Sequence, residues 1–166
     1  MILRAMAAAA AGFSLLSQVA ALSSGGLESC AGTARFTLRD GEAYDSRTGL
    51  TWKRCSEGLS WENGGCTGES RFFSLDQARG LAAGGWRMPS IDELSSLLDQ
   101  SCGQPAIDTR AFPDVRATEE GDSTYWTVSA TGLLNLTFTV DFMNAIVDGH
   151  SPGLSYAVRL VHEGRR

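Results

Sequence analysis

The chain has 166 residues, 43% hydrophobic and 20% charged, with four Cys, four Pro, a net charge of -5 and a pI near 5.0. That length suits one globular domain and excludes long disorder, a collagen-like repeat and a large multidomain enzyme. Carboxylates outnumber cations, so there is no surplus positive charge for a phosphate backbone and a nucleic-acid partner is not expected.

The first segment reads as an address. Arg4 follows Met1, Ala5 to Leu16 is apolar and uncharged, and Val19-Ala20-Ala21 supplies the small residues that signal peptidase needs. This predicts a signal peptide at 1–21 and export to the periplasm, cell surface or medium, with no stable membrane insertion after cleavage. The apolar run is shorter than the roughly 20 residues that span a bilayer, although an uncleaved anchor helix is the alternative. Residues 22–34 are small and polar and form a lead-in, and 35–163 form the domain.

Cys30, Cys55, Cys66 and Cys102 all follow the predicted cleavage point, and an even count in an exported chain predicts disulfides. Three pairings are possible. Cys55 and Cys66 bracket a short Gly/Ser/Asn/Glu-rich loop, which favours Cys55–Cys66 and leaves Cys30–Cys102. A zinc site is disfavoured because no C-x-x-C occurs and both His lie far downstream.

Arg35 to Leu38, Tyr44 to Ser46 and Leu50 to Arg54 read as short hairpin strands separated by turns at Asp40-Gly41 and Arg47-Thr48-Gly49. Ser74-x-x-Gln77 is a capping box before Leu75, Ala78, Leu81 and Ala82, predicting a helix that stops at Gly84-Gly85. Ser90-x-x-Glu93 repeats the signal before Ile91, Leu94, Leu97 and Leu98, and Pro89 holds Met88 extended. Gln104 to Asp122, with Pro105, Pro113 and Glu119-Glu120-Gly121-Asp122, reads as an irregular solvated loop. Strands follow at Thr124 to Val128, Leu136 to Phe142 and Tyr156 to Val161, with turns expected at Asp148-Gly149 and Ser151-Pro152-Gly153. The class is α+β in one domain: a mixed antiparallel sheet, two short helices and disulfides.

Taken in order, Tyr44-Asp45-Ser46-Arg47-Thr48-Gly49-Leu50-Thr51-Trp52, Trp61 and Cys66, Gly85-Trp86-Arg87-Met88-Pro89-Ser90-Ile91-Asp92-Glu93-Leu94, Phe112-Pro113, Tyr125-Trp126-Thr127 and Tyr156 to Val161 resemble one family. It is the bacterial family named after the C-terminal domain of the collagen-like adhesin Lcl. The resemblance implies a C-type-lectin-like fold similar to that of formylglycine-generating enzymes, and a secreted or surface-exposed adhesion module recognising a glycan or an envelope or host protein. The namesake's glycosaminoglycan binding belongs to a basic surface. This acidic chain has no Lys/Arg run to reproduce it, so that ligand is not carried over.

The chemistry-bearing residues point the same way. His150 and His162 sit in no hydrolytic motif, bridged cysteines leave no thiolate, and an enzyme is not expected. Trp86, Arg87, Pro89, Ser90 and Glu93 read as a structural helix-start motif. Trp52, Trp86 and Trp126 read as core, each needing an acceptor for its indole N–H. Trp61, with Glu62 and Asn63, projects from the Cys55 to Cys66 loop as a candidate ligand-binding group, against the alternative of packing under its own loop. Asp141 reads as half of an ion pair with Arg159 or Arg87. No cofactor or metal is expected. The alternative is a calcium-dependent lectin-like or enzyme-like domain using Glu119, Glu120 and Asp122 with Asp114, or with Asp108 in its place. A structural subunit of an envelope or pilus-like assembly is a third reading, and oligomerisation is left open.

Overall fold

Alternating residues broken by Asp, Asn and Gly encode short strands and tight turns, and the computed structural model shows nine of them among the residues it describes, Cys30 and 35–164. The expected signal peptide at 1–21 and, apart from Cys30, the lead-in at 22–34 lie outside the described residues. In chain order the elements are β1 (Phe36–Arg39), β2 (Glu42–Asp45), β3 (Leu50–Lys53), β4 (Leu59–Glu62), β5 (Gly65–Gly68), α1 (Leu75–Arg79), α2 (Ile91–Ser95), a 3-10 turn (Gln100–Cys102), β6 (Thr124–Ala130), β7 (Thr137–Asp141), β8 (Ile146–His150) and β9 (Val161–Glu163). All strand pairs in the three sheets β1-β2-β3-β9, β4-β5 and β6-β7-β8 are antiparallel. The chain is α+β.

Period-two alternation gives the four-stranded sheet two unlike faces. Leu38, Ala43, Trp52 and Val161 are cross-strand neighbours on the inner face, beside Phe36, Asp45 and Leu50. The outer face carries two polar rungs, Thr37-Tyr44-Thr51-His162 and Arg39-Glu42-Lys53. Asp45 is the exception, an acid on the apolar side with no exposed side-chain surface. Arg35 donates to both its oxygens, at 2.9 and 2.5 Å, while the Thr48 hydroxyl and the Arg47 amide donate the remaining bonds. Gly49, at φ 75, ends that turn and lets the chain re-enter as β3.

Both capping boxes form, with Ser74–Gln77 and Ser90–Glu93 exchanging side-chain and backbone bonds. Each helix is nevertheless shorter than its apolar spacing predicts. After Gly80 the chain turns through Gly84 (φ 60) and Gly85 (φ 89), where Ala83 and Trp86 exchange both backbone hydrogen bonds as in a two-residue hairpin. Beyond Ser95, Leu97 and Leu98 donate to residues three back, so the last turn tightens while Leu97 stays buried. Two further expectations are corrected. The Cys55 to Cys66 loop is the β4-β5 hairpin, turned at Asn63 (φ 50) and Gly64 (φ 85), and Asp148-Gly149 lies inside β8 because the turn falls earlier, at Ala145 (φ 54). Cys55–Cys66 and Cys30–Cys102 are the two bridges, and no free cysteine remains among the described residues.

The sheets are joined by one extended segment, 156–161, buried almost throughout. Its carbonyls at Tyr156, Ala157, Val158, Leu160 and Val161 accept from Phe73, Trp126, Glu57, Lys53 and Arg87 in turn. Packed against it are the two core clusters, one around Trp52, Leu94, Phe112 and Phe142, the other around Phe73, Leu75, Met88 and Trp126. In the middle of the segment Arg159 is fully buried. Its Nη1 donates to the carbonyls of Lys53 (2.8 Å) and Arg54 (2.6 Å), and Nη2 donates to Asp114 Oδ1 (2.8 Å) and Ser56 Oγ (3.0 Å). Asp114 Oδ2 accepts from the Ser56 amide at 2.9 Å. The expected Asp141 pairing is therefore wrong for both arginines. Asp141, at the end of β7, accepts from the Ser123 and Met143 amides and from Asn144, which closes a turn, and Arg87 pairs with Glu93 and Glu163.

Burial raises the Asp114 carboxyl, but the charge of Arg159 and the bonds from Ser56 outweigh it and hold the group below the usual range. Asp45 is likewise held low, burial being outweighed by Arg35, Thr48 and Arg47. A depressed folded-state value means stability that is complete above the unfolded value, about pH 4, and lost as pH falls through the folded one. Acid titration of the melting temperature should show loss below about pH 4, flattened in Asp114→Asn. Asp114→Ala, which strands a buried guanidinium, should cost about 3–5 kcal/mol in denaturant unfolding; a loss under about 1 kcal/mol would show the pair to be incidental.

Candidate functional site

The outer face of the four-stranded sheet is walled by aromatic residues from outside it. Trp86 arrives on the turn after Gly84-Gly85, and Trp61 arrives on β4, one residue before the turn-side end of that strand. Two adjoining hollows lie over this face, the smaller between the two indoles and the larger on the far side of Trp86. One, of about 860 Å³, is bounded by Thr37, Arg39, Glu42, Tyr44, Trp86 and His162. The other, of about 540 Å³, is bounded by Arg39, Glu42, Lys53, Ser60, Trp61 and Trp86. They share Arg39, Glu42 and Trp86, so they form one groove over the polar rungs.

Each indole is held in place. The Arg54 guanidinium lies 3.7 Å from the Trp61 ring centroid, and it is itself fixed by bonds to the carbonyls of Asp40 (2.9 Å), Arg110 (2.8 Å) and Ala111 (3.2 Å). At its stem Trp61 rests on Gly41, where an added Cβ would lie 2.9 Å from the Trp61 Cβ. The hairpin is anchored by Cys55–Cys66. Trp86 meets His162 edge-on with ring centroids 4.3 Å apart, and Lys53 Nζ stands 5.5 Å from its ring while bonding Glu57 at 2.7 Å. Trp86 is thus half-buried rather than the core residue expected, because one side of it faces the groove. Trp52 and Trp126 are fully buried as expected. Trp126 donates to the Phe73 carbonyl at 2.8 Å, whereas the Trp52 indole N–H has no acceptor among the described residues.

The trio Trp61, Glu62 and Asn63 divides. Trp61 borders the groove, while Glu62 is exposed and Asn63 is spent on the left-handed turn position, so neither of these two lines it. The helix-start motif is held together by its own bonds and, apart from Trp86, does not line the groove. Arg87 clamps Glu93 with two bonds of 2.8 and 2.7 Å, Ser90 and Glu93 cap the helix, and the Arg87 backbone pairs with Val161. The bonds from Arg87 hold the Glu93 carboxyl below its usual range and raise Arg87 in turn. Sequence reasoning missed Arg39, Glu42 and Tyr44 as lining residues. Their alternation with Ala43 and Asp45 was the available signal.

A third hollow, of about 780 Å³ and separate from that groove, runs past Phe72, Arg116, Glu119, Glu120, Asp122 and Tyr156. Asp114, Glu119, Glu120 and Asp122 of the calcium alternative line it. Asp114 is committed to Arg159 and Ser56, Asp122 to the hydroxyls of Thr118 and Thr124, and Asp108 to Arg110. Among the described residues no three acidic, His or Cys side chains are grouped to hold an ion. A divalent cation needs several oxygens converging on one point, which loop proximity alone does not supply.

With this geometry in place, a comparison with family models decides the relationship: the Lcl C-terminal domain model matches residues 41–162. The chain belongs to the Lcl C-terminal domain family. The matched span runs from Gly41, on which Trp61 rests, to His162, which borders Trp86. No curated protein and no solved structure matches the chain.

Gly41→Ala should push the Trp61 stem off its seat, because the clash is with a Cβ near the backbone rather than a flexible tip. A cost of about 1–3 kcal/mol in chemical denaturation, with altered tryptophan fluorescence, is expected; unchanged stability and spectrum would show that Trp61 is not seated on that turn.

Proposed function

We propose that the chain is an exported, disulfide-stabilised, non-catalytic recognition module that attaches to a glycan or to an envelope or host protein outside the cytoplasm. The observation that carries this reading is the groove between Trp61 and Trp86: fixed indoles beside hydroxyl and charged groups, which is the surface a binding site presents. Two disulfides support an oxidising compartment. Family membership supports attachment, and the antiparallel sheets with capped short helices are consistent with the C-type-lectin-like architecture we assign to it.

The non-catalytic part rests on how the reactive side chains are used. His150 Nδ1 shares a hydrogen bond with Thr139 at 2.9 Å and its ring leans on Tyr156, while His162 is packed on Trp86. The Thr139 hydroxyl beside His150 is buried within the β7-β8 pairing, where no substrate reaches it, and the bridged cysteines supply no thiolate. Among the described residues no helix is long and apolar enough to cross a membrane.

Two measurements check the reading. N-terminal sequencing of the secreted product should begin at Leu22, and retention of Met1 would contradict cleavage. Screening the oxidised protein against glycan arrays and envelope extracts should give saturable capture without turnover; reactive thiols, catalysed conversion of a ligand, or no partner of either kind would refute it.

A further inference from the structure

We propose that the groove between Trp61 and Trp86 takes an uncharged chain of pyranose sugars laid across the outer rungs of the β1-β2-β3-β9 sheet, an inference that rests on the recognition-module reading above. Three features select this occupant. The first is the pair of indoles. A pyranose ring has one apolar C–H face and an equatorial belt of hydroxyls, and it stacks on a fixed aromatic surface while its hydroxyls bond to polar neighbours. Trp61, braced by Arg54 and by Gly41, borders the smaller hollow, and Trp86, braced by His162, stands where the two hollows meet, so both present such surfaces to the groove.

The second is the floor. Thr37, Tyr44, Thr51 and Ser60 supply hydroxyls, and Arg39 and Glu42 supply a donor and an acceptor side by side on one rung. A polar floor is a poor seat for the apolar anchor of a protein partner, which needs a desolvated pocket. The third is charge. Arg39 and Lys53 stand against Asp40, Glu42 and Glu163 around the same groove; Lys53 is already paired with Glu57 and Glu163 with Arg87, which leaves Arg39 against Asp40 and Glu42, a single excess negative charge. A sulfated or carboxylated chain would meet these carboxylates, and a cationic one would meet the arginine and lysine, so near-neutral balance favours an uncharged ligand. Two hollows of about 860 and 540 Å³ that share three residues give room for several consecutive rings rather than one.

The test is titration of the oxidised protein with neutral cello-, xylo-, manno- and chito-oligosaccharides of increasing length, with heparin as the polyanionic comparison, followed by the indole N–H resonances of all four tryptophans. At least one neutral series should bind with affinity that rises with length, shifting Trp61 and Trp86 while the buried Trp52 and Trp126 stay still. Trp61→Ala and Trp86→Ala should each weaken binding about tenfold, and Trp86→Phe, which keeps an aromatic face, should weaken it less. Because the wild-type resonances report the site directly, a variant that fails to fold does not leave the matter open. Binding of heparin alone, or of a sugar that shifts neither groove indole, would overturn the inference while leaving the recognition module standing. Capture of an envelope protein with no sugar bound would do the same. Only the absence of any glycan or protein partner would remove both.

Discussion

A single guanidinium organises this domain. Arg159 sits with no exposure at the crossing of three chain segments and is bonded to the end of β3, to Ser56 and to the acid of the irregular 104–122 stretch. Its rings of contact extend to Phe112 and Tyr125, 4.9 and 5.5 Å away. A buried charge that lost its partner would face a large desolvation cost, so the arrangement tolerates few alternatives. Geometry, more than net stability, is what such a pair supplies. By fixing the carbonyls of Lys53 and Arg54, it sets where Lys53 and Arg54 point, and those are the residues that flank Trp86 and Trp61.

The groove therefore depends on the core through a short chain of contacts. Residues 156–161 couple the four-stranded sheet to the β6-β7-β8 sheet by backbone bonds, Arg87 pairs with Val161 at the edge, and Trp86 is the next residue along. On the other side Cys55–Cys66 and the Gly41 seat fix Trp61. Most charged side chains with buried partners are thus committed to architecture: Asp45 to a turn, Glu93 to a helix start, Asp114 to Arg159. What is left facing solvent on the outer rungs is mixed in sign.

Local features were legible because local physics produces them. The capping boxes at Ser74 and Ser90, the Asp40-Gly41 turn and the strand alternation from Phe36 to Lys53 needed only neighbouring residues to be recognised. The pairing of cysteines followed from the short polar loop between Cys55 and Cys66. Helix length was overestimated because spacing of Leu81 and Ala82 says nothing about whether a partner surface waits for them, and Gly84-Gly85 instead closes a turn. The Asn63-Gly64 hairpin was visible in principle, its left-handed pair being a strong turn signal, yet composition alone had suggested an open loop. The Arg159 partner was out of reach. Asp141 and Asp114 are equally plausible from sequence, and only the fold brings residues 45 apart in the chain to 2.8 Å.

Native-state hydrogen exchange tests the central claim most directly. If Arg159 and the 156–161 segment tie the sheets into one unit, the amides of Lys53, Glu57 and Trp126, which donate to that segment, and of Val161, which donates from it to Arg87, should exchange together at the slowest rate, through global unfolding. Exchange of Lys53 and Glu57 through a separate, much easier opening than that of Trp126 would contradict it.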